Sequence, residues 1–457
     1  MKGGDFISLE LYQQLELPFP NLNSKDPIEF LPYNPLRLTV NEIVRRYFES
    51  HPSDFKTYEK LHKLIECGTG RLGYHIDICD NCGEIKVIGN PCNHSVCSRC
   101  QERRSKIWIE NRIPELLPIS YYHFNFCLNS GLFVFAMFNK KIIFDFMFEG
   151  VASAMFEVSD REKIETGFTG SLHTSAANHI FDPHVHVCMP GVGITQEGEV
   201  VQYKTVKDLR MSETQLIKKF RDVFLDNLQK LYSEQAAKIK AEKDEEIIKW
   251  PEKLKDLEHD EEKFNKWIEE LRQDKWDVQI ADEARKGDST KILYEYIGQR
   301  LAIRDEQIIE ADYETIKFMD KRGKPITMSI EEFVRRLTLH TMPPCYHRIR
   351  NYGFLTNSKK NEKLKYIREQ LGVEEPEEKI DESSICKICG EGEIRTVATI
   401  LGGGTVKTFE ENINQLKILP TWLRALQEID ILRDAPLDVI AKLPDWLIRL
   451  IESVDDE

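Results

Sequence analysis

Residues 182–187 read DPHVHV, and the two-residue period of a strand turns His184 and His186 to the same face. Two imidazoles aimed one way after an Asp-Pro turn are either half of a metal site or a pair on a polar face. A second group is cysteine-rich: CDNCGEIKVIGNPCNHSVCSRC spans residues 79–100. Cys79-x2-Cys82 and Cys97-x2-Cys100 form two knuckles that each turn two thiolates toward one point, and four thiolates satisfy tetrahedral zinc. Cys92 and His94 lie between the knuckles and are possible substitutes for one ligand. A closed thiolate shell is structural or docks nucleic acid, because it leaves no open position for catalysis. Cys386-x2-Cys389 lacks a second pair nearby and reads as a free pair in a loop. A third group is LHT at 172–174, giving His173 on the strand just before the histidine pair, and YEYIGQR downstream, with Tyr294 and Tyr296 on an expected helix. A metal ion stabilises charge on a phosphoryl group while a phenolate attacks phosphorus. Together they permit a covalent phosphotyrosine that keeps the energy of the broken linkage for religation.

The elements that would position these groups follow from composition and periodicity. A chain of 457 residues with 41% hydrophobic and 31% charged residues has material for two to four domains. No apolar run reaches membrane-span length; residues 131–148 come closest, but Lys140 and Lys141 break them, so they read as a buried helix. The N-terminus lacks the shape of a signal peptide, and eleven cysteines clustered rather than evenly paired fit a reducing compartment, so the expected place is the cytoplasm. The net charge of −14 argues against nucleic acid as partner until its distribution is followed. Residues 233–290 hold 12 Lys/Arg against 18 Asp/Glu, and residues 361–457 hold 12 against 21, so the rest is nearly neutral with basic clusters at 103–106 and 346–353.

Helices are expected in two pieces over 38–66, then over about 101–112, 132–158 and 289–302, the last with Ser289 as a possible cap. A charged helical hairpin, read as a solvated arm, fills about 206–275. Strands are expected over 120–128, 167–175 and 184–191, and strand-like segments over 307–329. Ser329 and Glu332 form a capping box at the start of a further helix, and the last fifty residues have helical spacing broken by prolines.

Six segments in order carry a resemblance: CGTGRLGYHIDICDNCG (67–83), NPCNHSVCSRCQ (90–101), ELLPISYYHFNFCL (115–128), SLHTSAANHIFDPHVHVCMPGVG (171–193), YIGQRLAI (296–303) and MSIEEFVRRLTLHTMPPCYHRIRNYGFLTN (328–357). The chain resembles the HUH transposases of rolling-circle insertion sequences, the two-tyrosine group, over roughly residues 60–360. The resemblance implies an α+β fold: an antiparallel-sheet HUH nuclease domain with helices on one side, preceded by a small zinc-ribbon module and carrying a helical insertion. The boundaries it suggests are 1–60 for an irregular and helical start, 61–114 for the zinc module, 115–360 for the nuclease domain with the insertion at about 206–288, and 361–457 for an acidic helical region.

The same resemblance implies a metal-dependent single-strand DNA nickase and strand transferase acting on mobile-element ends, associated with a bacterial nucleoid. Its cofactors would be structural Zn²⁺ and catalytic Mg²⁺ or Mn²⁺. His184 and His186 would hold the metal, with His173 or Gln299 as third ligand, and Tyr296 would be the nucleophile. Apart from the resemblance, the basic and aromatic residues near the site, Arg300, Arg348, Arg350 and Tyr352, would hold DNA by phosphate contacts and stacking. The family's second tyrosine, four residues after the first, is Arg300 here, and its tryptophan after LHT is Ser175. A competing reading keeps the fold and DNA affinity without turnover, with the acidic arm or tail docking a protein partner; the oligomeric state is open.

Overall fold

The computed structural model describes residues 28–30, 38–55, 58–175, 179–204, 206–209, 212–240, 247–284, 292–299, 301–320, 322–374, 384–401, 406–417, 423 and 448. The chain divides into two units. One comprises residues 1–36, 63–92 and 380–457; the other comprises residues 37–62 and 93–379.

The first unit is built on a five-stranded sheet in the spatial order Ile28–Phe30, Ile85–Gly89, Gly73–Cys79, Ile394–Leu401, Val406–Thr408. Gly73–Cys79 pairs antiparallel with Ile85–Gly89 on one side and with Ile394–Leu401 on the other. Its alternate residues Ile76 and Ile78 are fully buried, as are Ala398 and Ile400 of the neighbouring strand. Gly73 sits at φ 85°, and a Cβ there would stand 2.0 Å from the Ile400 carbonyl oxygen, so only glycine admits this pairing. Residues 361–457, expected as a separate helical region, therefore supply a central strand to a sheet begun over 300 residues earlier. A strand's partner is chosen by tertiary pairing, which local periodicity does not encode. Most of the last fifty residues lie outside the described ones.

The second unit holds an antiparallel five-stranded sheet in the order Asp277–Ala284, Tyr121–Cys127, Phe181–Pro190, Gly167–Ser175, Ile349–Gly353. One face is apolar: Phe124, Phe126, Leu172, Val185 and Val187 are buried there. Helices cover it. Residues expected as one buried helix form two, Phe133–Phe138 and Lys140–Glu162. They break at Asn139, whose side-chain amide donates to the carbonyls of Phe135 and Lys249. Ile143, Phe144, Met147, Phe148 and Val151 recur at helical spacing and are fully buried.

The charged arm is not a solvated appendage. The helix Glu213–Lys240 opens where Ser212 Oγ accepts from the Gln215 N–H. Its Phe220, Phe224 and Leu228, four residues apart, are fully buried in the main core, and Trp276 packs on both phenylalanines. The strand Asp277–Ala284 that follows is the edge of the main sheet. The acidic residues lie between these apolar positions, so composition hid an amphipathic core helix. The strand-like segments near 320 form a three-stranded antiparallel sheet, and Ser329 Oγ caps the helix Ile330–Leu339 by accepting from the Glu332 N–H. Among the described residues no helix is long and apolar enough to cross a membrane.

Candidate active site and cysteine groups

The sheet face away from the helices carries the polar groups. Strand pairing places His173 directly opposite His184, Asn125 opposite His186 and His123 opposite Cys188. Nitrogen atoms of His173, His184 and His186 all lie within 4.8 Å of one another, and all three residues are buried. His184 Nδ1 is 2.7 Å from the Asp182 carbonyl oxygen. A carbonyl only accepts, so Nδ1 carries the proton and Nε2 presents the lone pair.

Residues 289–302 were expected as a full helix. The described part is one wide turn, Leu293–Ile297, closed by the Gly298 N–H donating to the Leu293 carbonyl at 2.6 Å. Ser171 Oγ donates to the Ile297 carbonyl at 2.9 Å and so pins this turn to the histidine-bearing sheet. A Cβ on Gly298 would stand 2.4 Å from Ile109 Cγ1, so glycine lets the turn approach the helix Ser98–Arg112. The result puts the Tyr296 ring 5.1 Å from the His186 ring.

His123 is a residue that the sequence reading passed over. It lies in the expected strand at 120–128, where alternation alone would have placed it on one face with Asn125 and Cys127. Its ring stacks on Tyr296 with centroids 4.2 Å apart, and its Nε2 is 2.9 Å from His186 Nδ1. Burial lowers its pKa to about 4, so it is neutral at working pH and each ring nitrogen has one role, donor or acceptor.

Gln299 lines a cavity with His173, Thr174, His340 and Arg348. Arg348 donates to the Ser95 carbonyl and to Gln101 Oε1, both at 3.2 Å. Arg300 lies outside the described residues. Arg350 and Tyr352 are placed differently from the expectation. Their strand pairs Arg350 with Gly170 and Tyr352 with Phe168, which alternates them onto the helix-covered face, opposite the histidines. Arg350 is 2.5 Å from Asp145 Oδ1 and lies 4.2 Å over the Phe148 ring. Tyr352 stacks on Phe168 at 4.7 Å, and burial pushes its pKa to about 12. Both therefore pack the sheet onto its helices, on the face away from the histidines.

The expected set Cys79, Cys82, Cys97 and Cys100 is not what comes together. Cys79 and Cys82 meet Cys386 and Cys389, with all four sulfurs within 4.8 Å of one another. The loop pair at 386–389 is thus not isolated, because the strand Ile394–Leu401 carries it alongside Cys79. Cys97 and Cys100 are buried at the start of the helix Ser98–Arg112 in the other unit, where the Asn41 amide donates to Cys97 Sγ at 3.2 Å. Cys92 belongs with the first unit, and its N–H donates to Cys67 Sγ at 3.5 Å. His94 Nδ1 accepts from the Val96 N–H at 3.4 Å.

An antiparallel sheet with paired histidines on an inner strand and a tyrosine held over them is the architecture of HUH proteins implied by the sequence motifs. Comparison with known proteins agrees. A family described as "Putative transposase" matches residues 167–363, and one described as "Transposase zinc-binding domain" matches residues 39–128. The chain is 30% identical over 355 residues to "Putative transposase y4qJ" of Sinorhizobium fredii (strain NBRC 101917 / NGR234), covering 74% of this chain and 85% of the relative. It is 28% identical over 145 residues to "Transposase for insertion sequence element IS801" of Pseudomonas savastanoi pv. phaseolicola, covering 31% of this chain and 34% of the relative. No solved structure matches. The chain belongs to the two-tyrosine HUH transposases of rolling-circle insertion sequences, with an N-terminal zinc-binding transposase domain.

Proposed function

We propose that this transposase nicks and rejoins single-stranded DNA at mobile-element ends through a covalent 5′-phosphotyrosine on Tyr296. The observation that carries the reading is the Tyr296 ring, 5.1 Å from His186, over three imidazoles whose nitrogens lie within 4.8 Å. His173, His184 and His186 would hold a divalent cation, which polarises the scissile phosphate when bound. Three neutral nitrogens fit Mn²⁺ or another transition ion better than Mg²⁺, which keeps an oxygen shell. His173, opposite His184 on the neighbouring strand, is then the third ligand in preference to Gln299.

The chain's own groups prepare the nucleophile. Stacking on neutral His123 fixes the plane of the Tyr296 ring, and the turn tied through Ser171 fixes its height above the sheet. In the step, the phenolic oxygen bonds to phosphorus and the bond from phosphorus to the 3′ oxygen breaks. The 3′ oxygen leaves with the electron pair and takes up a proton, while the phenol gives one up. Reversal by an incoming 3′-hydroxyl rejoins the strand and returns the proton to the tyrosine. Position 300 is arginine, and a guanidinium cannot form this phosphoester, so Tyr296 carries the covalent step.

The test is a denaturing gel of the full chain with Mn²⁺ and labelled single-stranded oligonucleotides derived from the element ends. A covalent adduct that disappears in Tyr296→Phe is expected. Tight binding without any adduct in the unchanged protein would overturn the reading in favour of a DNA-binding relative that has lost turnover.

A further inference from the structure

We propose that Cys79, Cys82, Cys386 and Cys389 bind one Zn²⁺ together, and that this ion ties the chain beyond residue 380 to the strands beginning at residue 73. The Sγ atoms of Cys79 and Cys389 are 3.7 Å apart, and those of Cys82 and Cys386 are 3.8 Å apart. Tetrahedral zinc with Zn–S bonds of about 2.3 Å requires sulfurs about 3.8 Å apart. A disulfide requires about 2.05 Å. The sulfurs stand at the edge length of a metal tetrahedron, not at that of oxidised pairs.

The two loops repeat one another in sequence and backbone. Each reads Cys-x2-Cys-Gly, CDNCG at 79–83 and CKICG at 386–390. The glycines sit at φ 75° and 72°, and their N–H groups donate to the carbonyls of Cys79 and Cys386, at 3.1 and 2.8 Å. Further backbone N–H groups aim at sulfur: Cys82 donates to Cys79 Sγ at 3.5 Å and Gly392 to Cys389 Sγ at 3.3 Å. Such donors favour the thiolate, the form that binds metal.

The site is preset by pairing outside it. Ile394 stands opposite Cys79 in the sheet. The Asp80 N–H donates to the Glu393 carbonyl at 2.9 Å, and its carboxylate accepts from the Glu393 N–H at 2.8 Å and from Arg395 Nε at 3.1 Å. A Cβ at Gly392 would lie 2.4 Å from Cys79 Sγ, so glycine there keeps the sulfur in place. The ion closes a loop of about three hundred residues, and a clip across a long loop removes much entropy from the unfolded chain. The zinc-binding family match ends at residue 128, well before the second knuckle.

The experiment is zinc analysis of the full chain together with maleimide alkylation mapped by mass spectrometry. The double variant Cys386→Ser/Cys389→Ser carries one zinc per chain fewer than the unchanged protein. In the unchanged protein the four thiols resist alkylation until a chelator is added. Equal zinc content in the two proteins overturns the proposal. So does a Cys79–Cys389 or Cys82–Cys386 disulfide in a non-reduced peptide map, or equal alkylation with and without chelator. The alkylation arm uses no substitution, so it decides the matter even where the double variant misfolds.

Discussion

His123 shows how a residue acquires a role through its contacts. Its ring lies under Tyr296 and its Nε2 faces His186 Nδ1, so under the proposed function it would orient both the attacking tyrosine and an imidazole that holds the cation. Groups that orient a metal ligand in this way carry about 10–100-fold in metal affinity or activity. His123→Leu keeps the volume but removes the hydrogen bond. It is expected to weaken Mn²⁺ binding, read by calorimetry, and to slow adduct formation by about that factor, while single-strand binding without metal stays within a few-fold. Unchanged metal affinity would assign His123 to packing alone. Arg350 teaches the converse. It lies in a basic, aromatic stretch, yet strand alternation and Asp145 turn it into a core-facing ion pair.

At the scale of elements, the helix Glu213–Lys240 is the clearest departure from the sequence reading. Its charge made it look solvated, but Phe220, Phe224 and Leu228 form a stripe against the main sheet's helices. Phe220 also packs edge-on against Phe126 of the sheet at 5.4 Å. Phe220→Ala is therefore expected to destabilise the second unit by about 3–5 kcal/mol, measured by denaturant unfolding. A loss under about 1 kcal/mol would restore the picture of an arm that folds apart from the core. The Ser329 cap and the strands at 120–128 and 167–175 were legible beforehand, because caps and alternation are local rules; the Glu332 carboxylate expected to complete a capping box pairs with Arg335 and Arg336 instead.

At the scale of the whole chain, the first unit is assembled from segments far apart in sequence. Removing everything after residue 379 takes away the strand that pairs along Gly73–Cys79 and both cysteines of the second knuckle. The truncated chain is expected to lose one zinc and to become sensitive to limited proteolysis within residues 63–92. Proteolysis of the second unit, whose sheet draws all five strands from residues 121–353, should be unaffected. Equal protection of residues 63–92 in both chains would mean that the sheet stands without its C-terminal strand.

The sequence by itself determined what local rules encode. Alternation aligned His184 with His186, the Cys-x2-Cys spacing marked the cysteine knuckles but not which of them meet, and ordered motifs identified the transposase family. Tertiary structure decided which distant groups meet: His123 under Tyr296, His173 across from His184, and Cys386 and Cys389 beside Cys79 and Cys82. The physical reason is that a strand's periodicity fixes the face of each side chain but not its neighbour. The neighbour is selected by backbone pairing and core burial over the whole chain.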